Sequence, residues 1–145
     1  MEFKDDIPTA PLISIMYREH AKYINDNVKE DDLSFGLFPL LINIYKNEGI
    51  IQEQLAQNFH LNESTITRNL KKLEDKGFIK REKYKRTKRI EVTPKGAKTA
   101  KKVMDYDEIW DKHIKEIIGE NEYNNFLITL KKISEELIWT KQSMT

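Results

Sequence analysis

LNESTITRNLKKLEDKGFIKREKYKRTKRIEVTPKG, residues Leu61 to Gly96, decides how the rest of the chain is read. It opens as a helix. Asn62 is a good N-cap, because its short side chain can accept a backbone N–H from the first turn, and Leu61 can staple onto Ile66. Gly77 stands where a C-terminal cap belongs. Between them the residues separate onto two faces. At helical spacing Ile66, Leu70, Leu73 and Gly77 fall within an arc of about 60°. Ser64, Thr65, Arg68, Lys71 and Lys72 cluster on the opposite side. Short hydroxyls and an arginine near a helix N-terminus suit base edges in a major groove. Lysines further along suit phosphates.

Two short basic strands follow, expected over 78–84 and 88–93, around a tip of Lys85, Arg86 and Thr87. Their inner residues are apolar: Phe78, Ile79, Ile90 and Val92. A helix plus a basic hairpin is the outline of a winged helix-turn-helix. The competing reading is a solvated basic surface on an ordinary α+β domain. Cap, face segregation and hairpin agree with one another and favour the winged helix.

The chain has 145 residues, of which 39% are hydrophobic and 34% charged. That is enough for one domain with a real core, 1–145, and suits a helix-rich soluble protein. No apolar run is long enough for a membrane span, and MEFKDDIPTAP lacks a signal peptide's basic start and apolar core. A cytoplasmic location is the expectation. With no cysteine, disulfides, thiolate metal sites and cysteine nucleophiles are excluded. The net charge of +1 hides a strong asymmetry: Ser64 to Lys102 holds 15 Lys and Arg against 4 Asp and Glu, and the remainder 10 against 20. Segregation on that scale implies a polyanionic partner, most often nucleic acid.

Outside the central stretch the pattern is helical. Pro8 and Pro11 delay a first helix to about residue 10, after which Leu12, Ile13, Met16, Tyr17, Ile24 and Val28 recur at helical spacing. Lys29-Glu30-Asp31-Asp32 is a polar break. Ser34 is expected to cap a second, largely apolar helix over 35–47, whose early turns absorb Pro39. A third, short helix is expected over 51–59, with Ile51, Leu55, Ala56 and Phe59 inward, and 58–61 turns into the recognition helix. Thr93-Pro94 reads as N-cap and first helical residue. The helix behind it should run to Ile118, with Trp110 on its packed side, and break at Gly119. A last helix over 121–141 carries Tyr123, Phe126, Leu127, Leu130, Ile133, Leu137 and Ile138 at near-ideal spacing, with Trp139 beside them as interface or core. The expectation is a mainly α (α+β) fold: a winged helix-turn-helix lobe over 33–96, flanked by long helices over 7–30 and 97–143. Their unpartnered apolar stripes would build a homodimer, whose symmetry suits a pseudo-palindromic DNA site.

The run Ser64-Thr65-Ile66-Thr67-Arg68, then Leu70, Leu73-Glu74, Gly77-Phe78-Ile79 and Arg81, resembles the recognition helix and first wing strand of the MarR family. The run from Arg86 to Gly96 resembles that family's wing arginine and the start of its next helix, and Leu33-Ser34 its Leu-Thr opening. The resemblance implies a homodimeric transcriptional regulator, expected to repress and to be released by a small aromatic or phenolic ligand. It departs at Tyr84, where the family usually has an aspartate that helps orient the wing. It departs also at Leu37, often glutamine, and at Val92, usually leucine.

The residues divide as follows. Thr65 and Arg68 are expected at base edges. Ser64 and Thr67 are expected at bases or phosphates, and Lys71 and Lys72 at the backbone. Arg86 is expected in a minor groove or on phosphate, and Lys85 and Lys88 on phosphates. Tyr17, Arg18 and His20 with Tyr45 are the candidate ligand site, but a snorkelling or acid-paired Arg18 and core tyrosines explain the same residues and are the preferred reading. His20, His60 and His113 have no His or Cys at ligand spacing, so neither metal nor cofactor is expected. No Gly-rich phosphate loop and no supported Ser-His-Asp arrangement point to an enzyme. The rival readings are a winged-helix module meeting an acidic protein or RNA, and a ligand carrier or enzyme on this scaffold.

Overall fold

The computed structural model describes residues 2–29 and 33–143, with side-chain surroundings through Ile138. The polar break at Glu30-Asp31-Asp32 and the packing of the Trp139 side chain lie outside the described residues. Helix α1, Thr9–Val28, starts directly after Pro8, and Pro11 sits in its first turn, where no intrahelical N–H is required. The expected helix over 35–47 is divided. A single 3-10 turn, Phe35–Leu37, leads into α2, Phe38–Lys46, and Ser34 makes no side-chain cap. Pro39 is the cause. A helix already running from Phe35 would bring the proline ring against the carbonyl of that residue, whereas a start at Phe38 places proline harmlessly in the first turn.

Ile50–Ile51 form a two-residue strand, β1, rather than the start of a helix, and α3 is Gln52–Phe59. The recognition helix α4, Glu63–Asp75, is capped as expected: Asn62 Oδ1 accepts the Thr65 N–H at 2.8 Å. Leu61 is 43% exposed, a poor fit to the staple expected of it. At the other end Gly77, with φ +80, donates to the Glu74 carbonyl, and Phe78 N–H reaches back to Leu73 at 2.9 Å. This paired closure stops the helix and drops Phe78 into the core.

Strands β2, Ile79–Tyr84, and β3, Thr87–Val92, make the hairpin, joined by Lys85 and Arg86 alone. β1 adds to the far edge of β3, giving the order β1-β3-β2, all antiparallel. Thr93 then caps α5, Pro94–Ile118: its hydroxyl oxygen accepts the Gly96 N–H at 3.1 Å and its O–H donates to the Gly77 carbonyl at 2.6 Å. Gly96 lies so close to β2 that a Cβ there would stand 1.9 Å from the Phe78 carbonyl oxygen. Gly119 ends α5, and α6 runs Glu120–Ser143.

One core holds the lobe together. Ile24 and Val28 from α1, Leu41 and Ile44 from α2, Leu55, Ile66, Leu70, Leu73, Phe78, Ile90 and Ala100 are all buried in a single cluster. The terminal helices are less covered. α6 packs against α5, and Ile117, Ile128 and Leu137 are 65%, 65% and 67% exposed. No helix among the described residues is long and apolar enough to cross a membrane.

Candidate nucleic-acid interface

The exposed side of α4 is set by its cap and by α3. Ser64 Oγ donates to Asn62 Oδ1 at 2.8 Å, so that hydroxyl belongs to the capping cluster. Thr67 Oγ1 accepts from Gln52 Nε2 at 2.6 Å, which leaves the Thr67 O–H free to donate outward, the polarity an anion or a base acceptor needs. Arg68 is exposed and, among the described residues, makes only a long 3.5 Å contact to Thr65 Oγ1. Lys71 faces Asp75 one turn on at 3.4 Å, an exposed pair of small worth, and Lys72 is exposed with no partner among the described residues.

The hairpin's two faces carry different cations. Alternation along the register puts Ile79, Arg81 and Lys83 with Val92, Ile90 and Lys88 on the face turned to α4, and Lys80, Glu82 and Tyr84 with Glu91, Arg89 and Thr87 on the other. On the inner face Arg81 forks onto Glu74 of α4, Nε to Oε2 at 3.2 Å and Nη2 to Oε1 at 3.1 Å. That guanidinium holds the Glu74 carboxyl below its ordinary range, and Lys88 adds to the effect. Lys83 and Lys88 stand directly opposite each other and have neither ion pair nor hydrogen bond among the described residues. On the outer face Lys80 is neutralised by Glu82 and Glu91 at 3.7 and 3.4 Å. The Arg89 guanidinium stacks on the Tyr84 ring at 4.5 Å, with Lys85 Nζ at 5.4 Å. Tyr84, where an acid was expected, therefore supports two cations without neutralising them. Arg86 at the tip is exposed and has no partner among the described residues.

The sequence reading did not single out Lys83, Gln52 or Glu53. Lys83 is one of three cations in β2, and only the register separates it from Lys80. Gln52 and Glu53 reach their partners across elements, which no local pattern signals.

The residues expected at a ligand site are gathered only in part. Tyr17 and His20 both pack edge-on against Phe35, at 5.4 and 5.5 Å between ring centres. His20 also contacts Trp110 and bonds Asp107 at 2.6 Å. Arg18 is exposed, and Tyr45 packs at the edge of the core. A cavity of about 660 Å³ opens between α1 and α5, lined by Tyr23, Ile109, Trp110 and His113 among others, and by none of the four. No cluster among the described residues groups three His, Asp or Glu as a metal site would need.

A capped basic helix preceded by a short helix, and followed by a cationic hairpin, is a winged helix-turn-helix. Residues 33–90 match the MarR family. The HTH-type transcriptional regulator YybA of Bacillus subtilis (strain 168), itself uncharacterized, is 42% identical over 89 residues, and the match spans 59% of this chain and 59% of that one. The crystal structure of MarR superposes over 99% of both chains with a TM-score of 0.79 at 29% identity. A MarR family regulator from Listeria monocytogenes, complexed with a 26mer DNA, matches over 93% of this chain and 91% of its own with a TM-score of 0.77 at 28% identity. The likeness to the MarR family covers residues 33–90, and the fold along the chain is that of solved MarR family structures.

Proposed function

We propose that this protein binds double-stranded DNA sequence-specifically as a homodimer on a pseudo-palindromic operator, and represses transcription there. The observation that carries the reading is the sorting of cations. Lys80 and Arg81 are paired with acids, while Lys72, Lys83, Arg86 and Lys88 have no ion pair or side-chain hydrogen bond among the described residues. Directly opposed lysines such as Lys83 and Lys88 repel each other, so a phosphate between them relieves a cost the free protein carries. The Listeria monocytogenes relative complexed with DNA supports a duplex as the polyanion. Thr65, Thr67 and Arg68 then meet base edges in the major groove, and Lys72 and the wing cations meet the backbone.

The exposed apolar residues of α1, α5 and α6 support the dimer. Two recognition helices related by its two-fold axis would enter successive major grooves about 34 Å apart. Ile133 and Leu137 share the α6 stripe and are both more than half exposed, so replacing both with Asp should split the dimer and leave the lobe folded. A small aromatic ligand, acting by shifting the spacing of the two wings, completes the reading; the rings of Tyr17, His20 and Phe35 are where it would stack. Selection of bound duplexes from a random pool, followed by titration at several salt concentrations, tests the whole. Equal binding to every duplex, or preference for RNA, would replace the operator-binding reading with that of a general interaction module.

A further inference from the structure

The first two residues of α3 reach the two DNA-facing elements separately. Gln52 holds Thr67 on the recognition helix at 2.6 Å, and Glu53 Oε2 accepts from the Thr87 hydroxyl on the wing at 2.7 Å. The bonds span 15 and 34 residues of sequence from adjacent positions on one short helix. That helix is itself fixed by the buried Leu55 and Ala56. Thr87 pairs with Tyr84 at the last rung before the tip, so the bond grips the wing close to its end. A projecting two-stranded ribbon has little rigidity of its own, and one tether there limits its swing. The Thr87 hydroxyl also keeps the Glu53 carboxyl below its ordinary range, so the acceptor stays ionised well into mild acid.

We propose that Gln52 and Glu53 are positioning residues that bracket the recognition helix and the wing, fixing their separation so that both engage one duplex. This rests on the DNA-binding reading above and deepens it. The sign of one substitution separates it from a plain surface role. Glu53 is an acid among the wing's cations, so as a mere surface charge its removal would strengthen binding to a polyanion. As a bracket its removal weakens binding.

Binding to the selected duplex is measured by fluorescence anisotropy for Glu53→Ala, Thr87→Val, their double variant and Gln52→Ala. Each single change should weaken binding about three- to tenfold, as loss of one hydrogen bond to a charged or oriented group does. The double variant should be no worse than the weaker single one, because both remove the same bond. A second readout needs no DNA. The chain has no cysteine, so Arg86→Cys takes a single nitroxide label at the wing tip. Its spectrum should sharpen with Glu53→Ala or Thr87→Val and return to the parental shape with Glu53→Gln, which keeps an acceptor. Parental or tighter binding by Glu53→Ala, or an unmoved label spectrum, overturns the bracket. Failure of the underlying reading looks different, because the parent itself would then show no preference among duplexes.

Discussion

Arg81 and Glu74 tie the wing to the recognition helix by two hydrogen bonds, and the Arg81 side chain is only 10% exposed within that contact. The pair joins the base of the wing to the end of the recognition helix. Glu74 sits in the last turn of α4 and Arg81 in β2, seven residues apart across the closure at Gly77.

Glu74→Gln should therefore lower stability in a pH-dependent way. The folded carboxyl is held down first by the Arg81 hydrogen bonds. A depressed folded value contributes stability above the unfolded carboxylate range, and that contribution is lost as pH falls through the folded value. About a third of the Glu74 side chain remains in water, so screening limits the loss to about 0.5–1 kcal/mol. Denaturant melts of the parent and Glu74→Gln should be separated at pH 7 and converge in acid. A gap that persists unchanged at low pH would assign the effect to packing instead.

Gly96→Ala should be far more damaging than its chemistry suggests. The new methyl would meet the Phe78 carbonyl oxygen at 1.9 Å, a backbone atom fixed by its own bond from the Thr93 N–H. Displacing α5 from β2 should cost on the order of 2–4 kcal/mol. Gly36 has open space around it, and Gly36→Ala should be neutral or stabilising by about 0.4–1 kcal/mol. Urea unfolding of both variants checks the contrast, and similar midpoints would mean the helix relaxes away freely.

These two sites mark what was legible in the sequence. Asn62, Gly77 and Thr93-Pro94 act through neighbours within a few residues, so caps and helix ends could be read directly. β1 is two residues long, too short for alternation to register, and exists because β3 offers it an edge. Ser34 carried a cap's chemistry but lost the position to Pro39, which moved the helix start. The bonds from Gln52 and Glu53, and the opposition of Lys83 and Lys88, depend on register and on contacts between distant elements, which composition and period do not encode.

Tyr84 should act through its ring alone. Arg89 lies over the ring face, and the phenol oxygen makes no hydrogen bond among the described residues. Tyr84→Phe should bind duplex DNA as the parent does, while Tyr84→Ala should lose about 0.5–1 kcal/mol through a loosened wing. Competition titrations on one labelled duplex would settle the comparison. Equal loss in both variants would point to the hydroxyl and not to the stack.

In the proposed function α4 reads sequence with Arg68 and grips the backbone with Lys72. The direct measurement is the salt dependence of affinity for parent, Arg68→Ala and Lys72→Ala, each on the selected duplex and on a scrambled one. Arg68→Ala should lose about 1–3 kcal/mol per half-site on the selected duplex and much less on the scrambled one, provided its guanidinium is bidentate to guanine. Lys72→Ala should weaken both duplexes alike and flatten the salt slope by about one unit per phosphate contact removed. Equal losses for Arg68→Ala on the two duplexes, with the preference between them intact, would contradict the account.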